Sequence, residues 1–288
     1  QTFLQSFAER ARISAAEYRS IPDYRSDIIA LHKACPRPMI DSALLWELVT
    51  VTLALGLGAF VKGATGAGAP LIAVPIMSSF HDVTFAVVVM VLPNLALNIS
   101  QTWSYRQNIQ PRRIAILMCL GALPGMAIGT WLLTRLPENA LLLVLGTLLT
   151  VYIIQRLLDP KFRLPERIAT RVSLPIGIAG GILQGTTGTS GPLAILFLSM
   201  QNLARPMFIG TISAFFLTNA VAQAPALWAE GLLTWRGLGL SALALAPVYL
   251  GLPLGNRFGK RLSPEAFNRW VLILLAILAV RLIWRGLT

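Results

Sequence analysis

Several uninterrupted apolar runs near 20 residues constrain this chain more than any other feature of it. A helix rises about 1.5 Å per residue, so about 20 residues cross a hydrocarbon core of about 30 Å, and lipid is the solvent such runs fit. Charged residues make up 12% of the 288, about half the share of an ordinary soluble domain. A soluble globular fold is excluded, and the sequence reads as an all-α polytopic membrane protein.

The net charge of +12 comes from 24 Lys and Arg against 12 Asp and Glu, an excess that in a soluble chain would raise the question of nucleic acid. Here the cations sit singly or in small groups between apolar segments, as at Arg112-Arg113, Arg167 with Arg171, and Lys260-Arg261. That is the pattern of loops held on the cytoplasmic side, and no nucleic-acid partner is expected. Cys35 lies in a polar stretch and Cys119 in an apolar run, so neither a disulfide framework nor a thiolate metal site is indicated. The two histidines are His32 and His81, and neither H-E-x-x-H nor G-x-S-x-G occurs. No catalytic residues, metal or cofactor are expected, and the chain does not read as an enzyme.

Three regions follow from composition: a polar arm over 1–42, a first membrane repeat over 43–160 and a second over 161–288. In the arm, Phe3, Phe7, Ala11, Ser14 and Tyr18 fall at helical spacing, which fits a short amphipathic helix on the membrane surface or a partly ordered tail. The arm carries neither the apolar core of a signal peptide nor an initiating Met, so the sequence is expected to be processed or incomplete at this end. Apolar segments follow at about 43–61, 70–80, 84–102, 114–134 and 139–158, then at 172–184, 192–200, 207–229, 237–256 and 266–285. All seven tryptophans fall near segment ends, at the headgroup level such rings prefer.

The two sets of five segments are copies of one another. Lys62-Gly-Ala-Thr-Gly66-Ala-Gly-Ala-Pro70-Leu71 aligns with Gln184-Gly-Thr-Thr-Gly188-Thr-Ser-Gly-Pro192-Leu193 at a constant offset of 122, sharing G-x-T-G-x-x-x-P-L. Gly125-x-x-x-Gly129 before Leu136-Pro137-Glu138 matches Gly251-x-x-x-Gly255 before Ser263-Pro264-Glu265, at offsets of 126 and 127. The chain is internally duplicated.

Each glycine-rich break interrupts backbone hydrogen bonding inside lipid, which is tolerated only where the break is buried in protein or lines a wet cavity. Pro70 and Pro192 suit the first turn of a new helix, so each break ends at a helix N-terminus whose N–H groups and dipole favour an anion. Paired breaks at corresponding places in two repeats point to a transporter substrate site near the midplane. The expected substrate-binding residues are Lys62, Gly63, Thr65, Gly66, Gly68 and Pro70 in the first break. In the second they are Gln184, Gly185, Thr187, Gly188, Ser190, Gly191 and Pro192, with Ser190 able to cap the new helix and Thr189 adding a hydroxyl. Lys62 is the basic residue placed at a break rather than in a loop or near a segment end, and an ionisable group in the membrane is functional by default. Its partner in the second repeat is Gln184, so the two breaks are not equivalent. Asn94, Asn98 and Gln101 recur along one apolar segment and Asn219 and Gln223 along its counterpart. These amides line a pathway or join helices. His81-Asp82, in the turn after the first break, fits a proton-coupling group or a surface turn.

Through these duplicated glycine-threonine-glycine-proline breaks and the five-plus-five pattern, residues 43–288 resemble the sulfite exporter TauE/SafE family. The resemblance implies an integral membrane protein of two modules that moves sulfite, sulfonates or other organosulfur anions across the cell (plasma or inner) membrane, without a cofactor. The polar arm is not part of the family pattern.

Continuous helix over 44–80 would extend about 55 Å, well beyond a core of about 30 Å, so the first two segments fold back as a hairpin. A hairpin plus three crossings is an odd count per repeat, which makes the repeats inverted. Leaving out the arm and Lys62, the inverted arrangement puts thirteen Lys and Arg inside and four outside, against eleven and six for a parallel one. The arm's six basic residues change the ratios to thirteen against ten and seventeen against six. The expected fold is therefore two inverted repeats, each a Gly/Pro-broken helical hairpin plus three transmembrane helices. The expected function is secondary transport of a small organosulfur anion by alternating access, with H⁺ as coupling ion and lipid as the surrounding partner. A passive anion channel using the same site is the alternative, and a membrane-anchored scaffold is a third reading.

Overall fold

The computed structural model of the chain describes residues 42–65, 68–158, 163–258 and 264–288, and every regular element among them is helical. The polar arm and Gly66, with the surface helix expected in the arm, lie outside the described residues. Residues Glu47–Thr288 form one compact unit. The first half runs α1 (Ser42–Thr65), α2 (Ala69–Ser78), α3 (Val83–Val89), α4 (Val91–Ser104), α5 (Arg112–Arg135) and α6 (Glu138–Leu158). The second runs α7 (Glu166–Thr187), α8 (Gly191–Ser199), α9 (Arg205–Ala229), α10 (Trp235–Leu243), α11 (Leu245–Phe258) and α12 (Pro264–Leu287). Among the described residues six spans are long and apolar enough to cross a membrane, or seven with the bent pair α3–α4 counted as one. The chain is a multi-pass membrane protein, and its exposed tryptophans, Trp103, Trp131, Trp228, Trp235, Trp270 and Trp284 among them, suit a lipid-facing surface.

The apolar segment at 84–102 divides at Met90 into α3 and α4, bent by 45°. The segment at 237–256 is interrupted at Ala244, between α10 and α11, yet counts as one span, Trp235–Gly255. A proline follows each junction, its ring clashing with the carbonyl four residues back and supplying no N–H to it: Pro93 stands four residues after Val89, the end of α3, and Pro247 four after Leu243, the end of α10. The two junctions pack together: the Leu92 N–H at the start of α4 donates to Ser241 Oγ of α10 at 2.9 Å, and Gly237 of α10 lies against Val88 of α3.

Glycines carry the closest helix contacts. Along α5, Gly121, Gly125 and Gly129 meet the carbonyl oxygens of Leu174, Ile178 and Ile182 of α7, and Gly177 and Gly181 of α7 meet those of Met118 and Ala122. Any Cβ at these places would overlap backbone, so the two helices run parallel at a separation only glycine permits. The second half repeats the contact with roles exchanged: Gly251 and Gly255 of α11 meet the carbonyls of Gly56 and Phe60 of α1. Gly56 and Phe60 are Ile178 and Ile182 less the 122-residue offset. The glycine helix of each half thus lies on the first helix of the other half.

One end of the bundle gathers the start of α1, the end of α2, the starts of α3, α6 and α10, and the end of α12. There Arg236 pairs with Glu47 at 2.8 Å, Val83 N–H donates to Glu138 Oε1 at 3.0 Å, and Arg285 and Arg281 donate to the carbonyls of Ser78 and Ser79. At the other end the segment before α7 meets the exit of α8, where Leu164 N–H donates to Met200 O at 3.0 Å. The turn before α5 meets α9 there as well, with Thr211 Oγ1 donating to Gln110 O at 2.6 Å.

Candidate functional site

The tips of the two hairpins meet in the interior. In the first, Gly68 turns the chain at φ 98° ahead of α2 with Pro70 in its first turn; in the second, Gly188 ends α7 at φ 71° and Pro192 opens α8. Glycine is the residue for which a positive φ carries no Cβ penalty, and the two reversals fall at different places in the breaks: Gly188 is a shared position of the motif, whereas Gly68 aligns with Ser190. A cavity of about 10 Å³, room for about one water, lies between the tips. It is lined by Lys62, Gly68, Pro70, Asn94 and Asn98 from the first repeat and by Gln184, Thr189, Ser190, Gly191 and Phe216 from the second.

Two polar chains support the cavity. In the first repeat Lys62 Nζ donates to Asn98 Oδ1 at 3.0 Å, and Asn98 Nδ2 donates to both O and Oδ1 of Asn94 at 2.8 Å. In the second, Gln184 Nε2 donates to Gln223 Oε1 at 3.5 Å and to Gly188 O at 2.9 Å, and Asn219 precedes Gln223 by one turn of α9. Lys62 and Gln184 are equivalent at the offset of 122, and Asn94 and Asn98 are equivalent to Asn219 and Gln223 at 125. The contact between a break residue and an amide helix is therefore built twice. All six side chains are buried. Lys62 is 5% exposed and has no carboxylate partner among the described residues.

The remaining expected residues divide. Ser190 stands at the N-cap of α8 but makes no side-chain cap. Its N–H and Oγ both donate to Gln184 Oε1 at 3.0 Å instead. Thr187 Oγ1 is held by the carbonyls of Leu183 and Thr189. Gly185 faces α5, against Thr130 N and Met126 O, and is a packing residue of the glycine seam. Gly63 follows Lys62 on α1, half-buried. Thr65 ends α1, and its side chain is outside the described residues.

His81 and Asp82 sit at the bundle end away from the tips. His81 Nε2 pairs with Thr50 Oγ1 at 2.7 Å, and Asp82 caps α3 through Phe85 N–H. Asp82 also lines a cavity of about 480 Å³ with Glu47, Glu138, Thr234 and Arg236, floored by Val88 and Val89 of α3 and Leu240 of α10. Sequence reasoning missed this vestibule, which no motif marks.

The family model described as "Sulfite exporter TauE/SafE" matches residues 51–282. The chain belongs to the sulfite exporter TauE/SafE family. The match takes in both hairpin tips and both amide helices, and makes the chain a member of a transporter family of multi-pass membrane proteins. No curated protein and no solved structure matches the chain.

Proposed function

We propose that this TauE/SafE-family chain is a secondary transporter of a small organosulfur anion, sulfite or a sulfonate, held between the helix starts at Pro70 and Pro192. Lys62 carries the reading: it is a buried amine on α1, 15 residues or about 22 Å along the helix from Glu47, with no carboxylate beside it among the described residues. An anion supplies the missing countercharge, and the first-turn N–H groups of α2 and α8 add donors. Gln184 faces Lys62 from the other repeat.

The repeats are proposed to be inverted. Support comes from the reciprocal glycine contacts and from the ends at which the hairpins open, the first beside Glu47 and Arg285 and the second beside Leu164 and Met200. Arg112, Arg113, Arg163, Arg167, Arg171 and Arg205 cluster by sequence at the second end, which is then cytoplasmic. The small closed cavity at the tips fits an occluded state of an alternating-access cycle. The bend at Met90 is the proposed hinge of its gate. H⁺ is the proposed coupling ion, taken up from the vestibule side where His81 and Asp82 lie.

Labelled sulfite flux into proteoliposomes under an imposed pH gradient, with sulfoacetate and sulfate as competitors, tests the reading. Saturable, gradient-dependent flux is expected. Flux linear in sulfite would indicate a channel, and absence of flux for any sulfur anion would remove the substrate assignment.

A further inference from the structure

The second repeat keeps two hydrogen-bonding atoms open that the first repeat closes. In α4 the Asn98 amide donates to Asn94 Oδ1. At the equivalent positions of α9, Asn219 Oδ1 and Gln223 Nε2 have no partner among the described residues, although the side chains are 0% and 1% exposed. Neither amide is free to rotate out of this state. Asn219 Nδ2 donates to Phe215 O at 2.9 Å, so the other end of that amide stays an acceptor. Ser190 fixes Gln184 Oε1 through two donors, which leaves Gln184 Nε2 to face Gln223 Oε1 and turns the Gln223 NH₂ away.

Residues four apart share a helix face, so α9 holds a buried donor and a buried acceptor one turn apart, the donor on the residue that meets Gln184, whose own side chain lines the cavity at the tips. Buried polar atoms are rarely left unpaired, and such a pair points to an absent partner that accepts from Gln223 and donates to Asn219. A bare oxyanion meets only the first demand.

We propose that Asn219 and Gln223 form a subsite for an O–H or N–H donor carried by the transported anion. The proposal rests on the anion-transport reading and narrows its substrate class to sulfur oxyanions whose carbon chain also bears a hydrogen-bond donor, a hydroxyl or an amine. Gln223 Nε2 donates to an anionic oxygen while Asn219 Oδ1 accepts the donor. The first repeat, with its amides closed on each other and Lys62 at their end, binds charge alone.

Isothermal titration of the full chain in detergent with 2-hydroxyethanesulfonate, 2-aminoethanesulfonate, ethanesulfonate and sulfite tests this. At least one donor-bearing sulfonate is expected to bind about tenfold or more tighter than ethanesulfonate, and which one does so identifies the donor as O–H or N–H. Asn219→Leu is expected to bring that ratio to within about twofold; the ligand series on the unmodified protein decides by itself should the variant not fold. Equal binding of the three sulfonates, binding of sulfite alone, or a preference that survives in Asn219→Leu overturns the subsite and leaves the transporter reading standing. No binding of any of the four overturns both.

Discussion

Adding one methyl group at Gly125 should loosen the contact that holds the repeats together. A Cβ there meets the carbonyl O, C and Cα of Ile178, with the carbonyl carbon at 2.9 Å, against an ordinary contact of 3.4–4 Å. All three atoms are backbone, so no side-chain rotation relieves the overlap and α5 must move away from α7 by about 1 Å. Overpacking of this kind costs about 1–3 kcal/mol. Alanine returns about 1 kcal/mol of helix propensity, leaving a net loss of about 0–2 kcal/mol, or up to roughly 8 °C in melting temperature at about 2–4 °C per kcal/mol. Gly251→Ala, at the reciprocal contact with Gly56 O at 2.5 Å, should fall in the same range. Gly239→Ala, on α10 with nothing within 4 Å, should melt at or above the unmodified protein. Thermal unfolding in detergent reads all three, and a Gly125→Ala melting point equal to that of Gly239→Ala would refute the close-packed seam.

Further outcomes follow from other contacts. Asn98→Asp places a carboxylate on Lys62 Nζ, 3.0 Å from the present acceptor; an internal ion pair then replaces the substrate as countercharge, and sulfite affinity should drop by about tenfold or more. Ser241→Ala strips the acceptor from Leu92 N–H at the α3–α4 bend and should cost about 1–2 kcal/mol of stability, whereas Ser104→Ala, at an exposed helix end, should cost under about 0.5 kcal/mol. In a background free of native cysteines, Phe80→Cys at the exit of α2 and Asn202→Cys after α8 should react with an impermeant maleimide from opposite faces of the membrane. Labelling from one face would contradict inversion.

Much of this was legible in the sequence because the signals are local. The G-x-T-G-x-x-x-P-L motif marks a break followed by a proline-started helix, and both copies form one, at Pro70 and Pro192, although the positive-φ glycines, Gly68 and Gly188, are not equivalent positions of it. The length of the apolar runs gave the spans. The bend at Met90 and the junction at Ala244 escaped hydropathy, since apolar residues continue through them, yet Pro93 and Pro247 carried the signal in their four-residue reach back to Val89 and Leu243. α7 begins at Glu166 rather than near 172 because its first turns are polar and hid in the loop. The pairing of Lys62 with Asn98 and of Gln184 with Gln223 joins residues 36 and 39 positions apart. Duplication showed that each pair had a counterpart, but only the fold showed that its members touch. Likewise Gly125 and Gly129 marked the repeat without naming the carbonyls they rest on.

Sulfite binding to the full chain, compared with Lys62→Met and Lys62→Arg, tests the central claim most directly. A buried charge-assisted contact contributes about 1.5–3 kcal/mol, so Lys62→Met should weaken binding by about 10- to 100-fold, with Lys62→Arg closer to the unmodified protein. Undiminished sulfite affinity in a folded Lys62→Met protein would contradict an anion site at the hairpin tips.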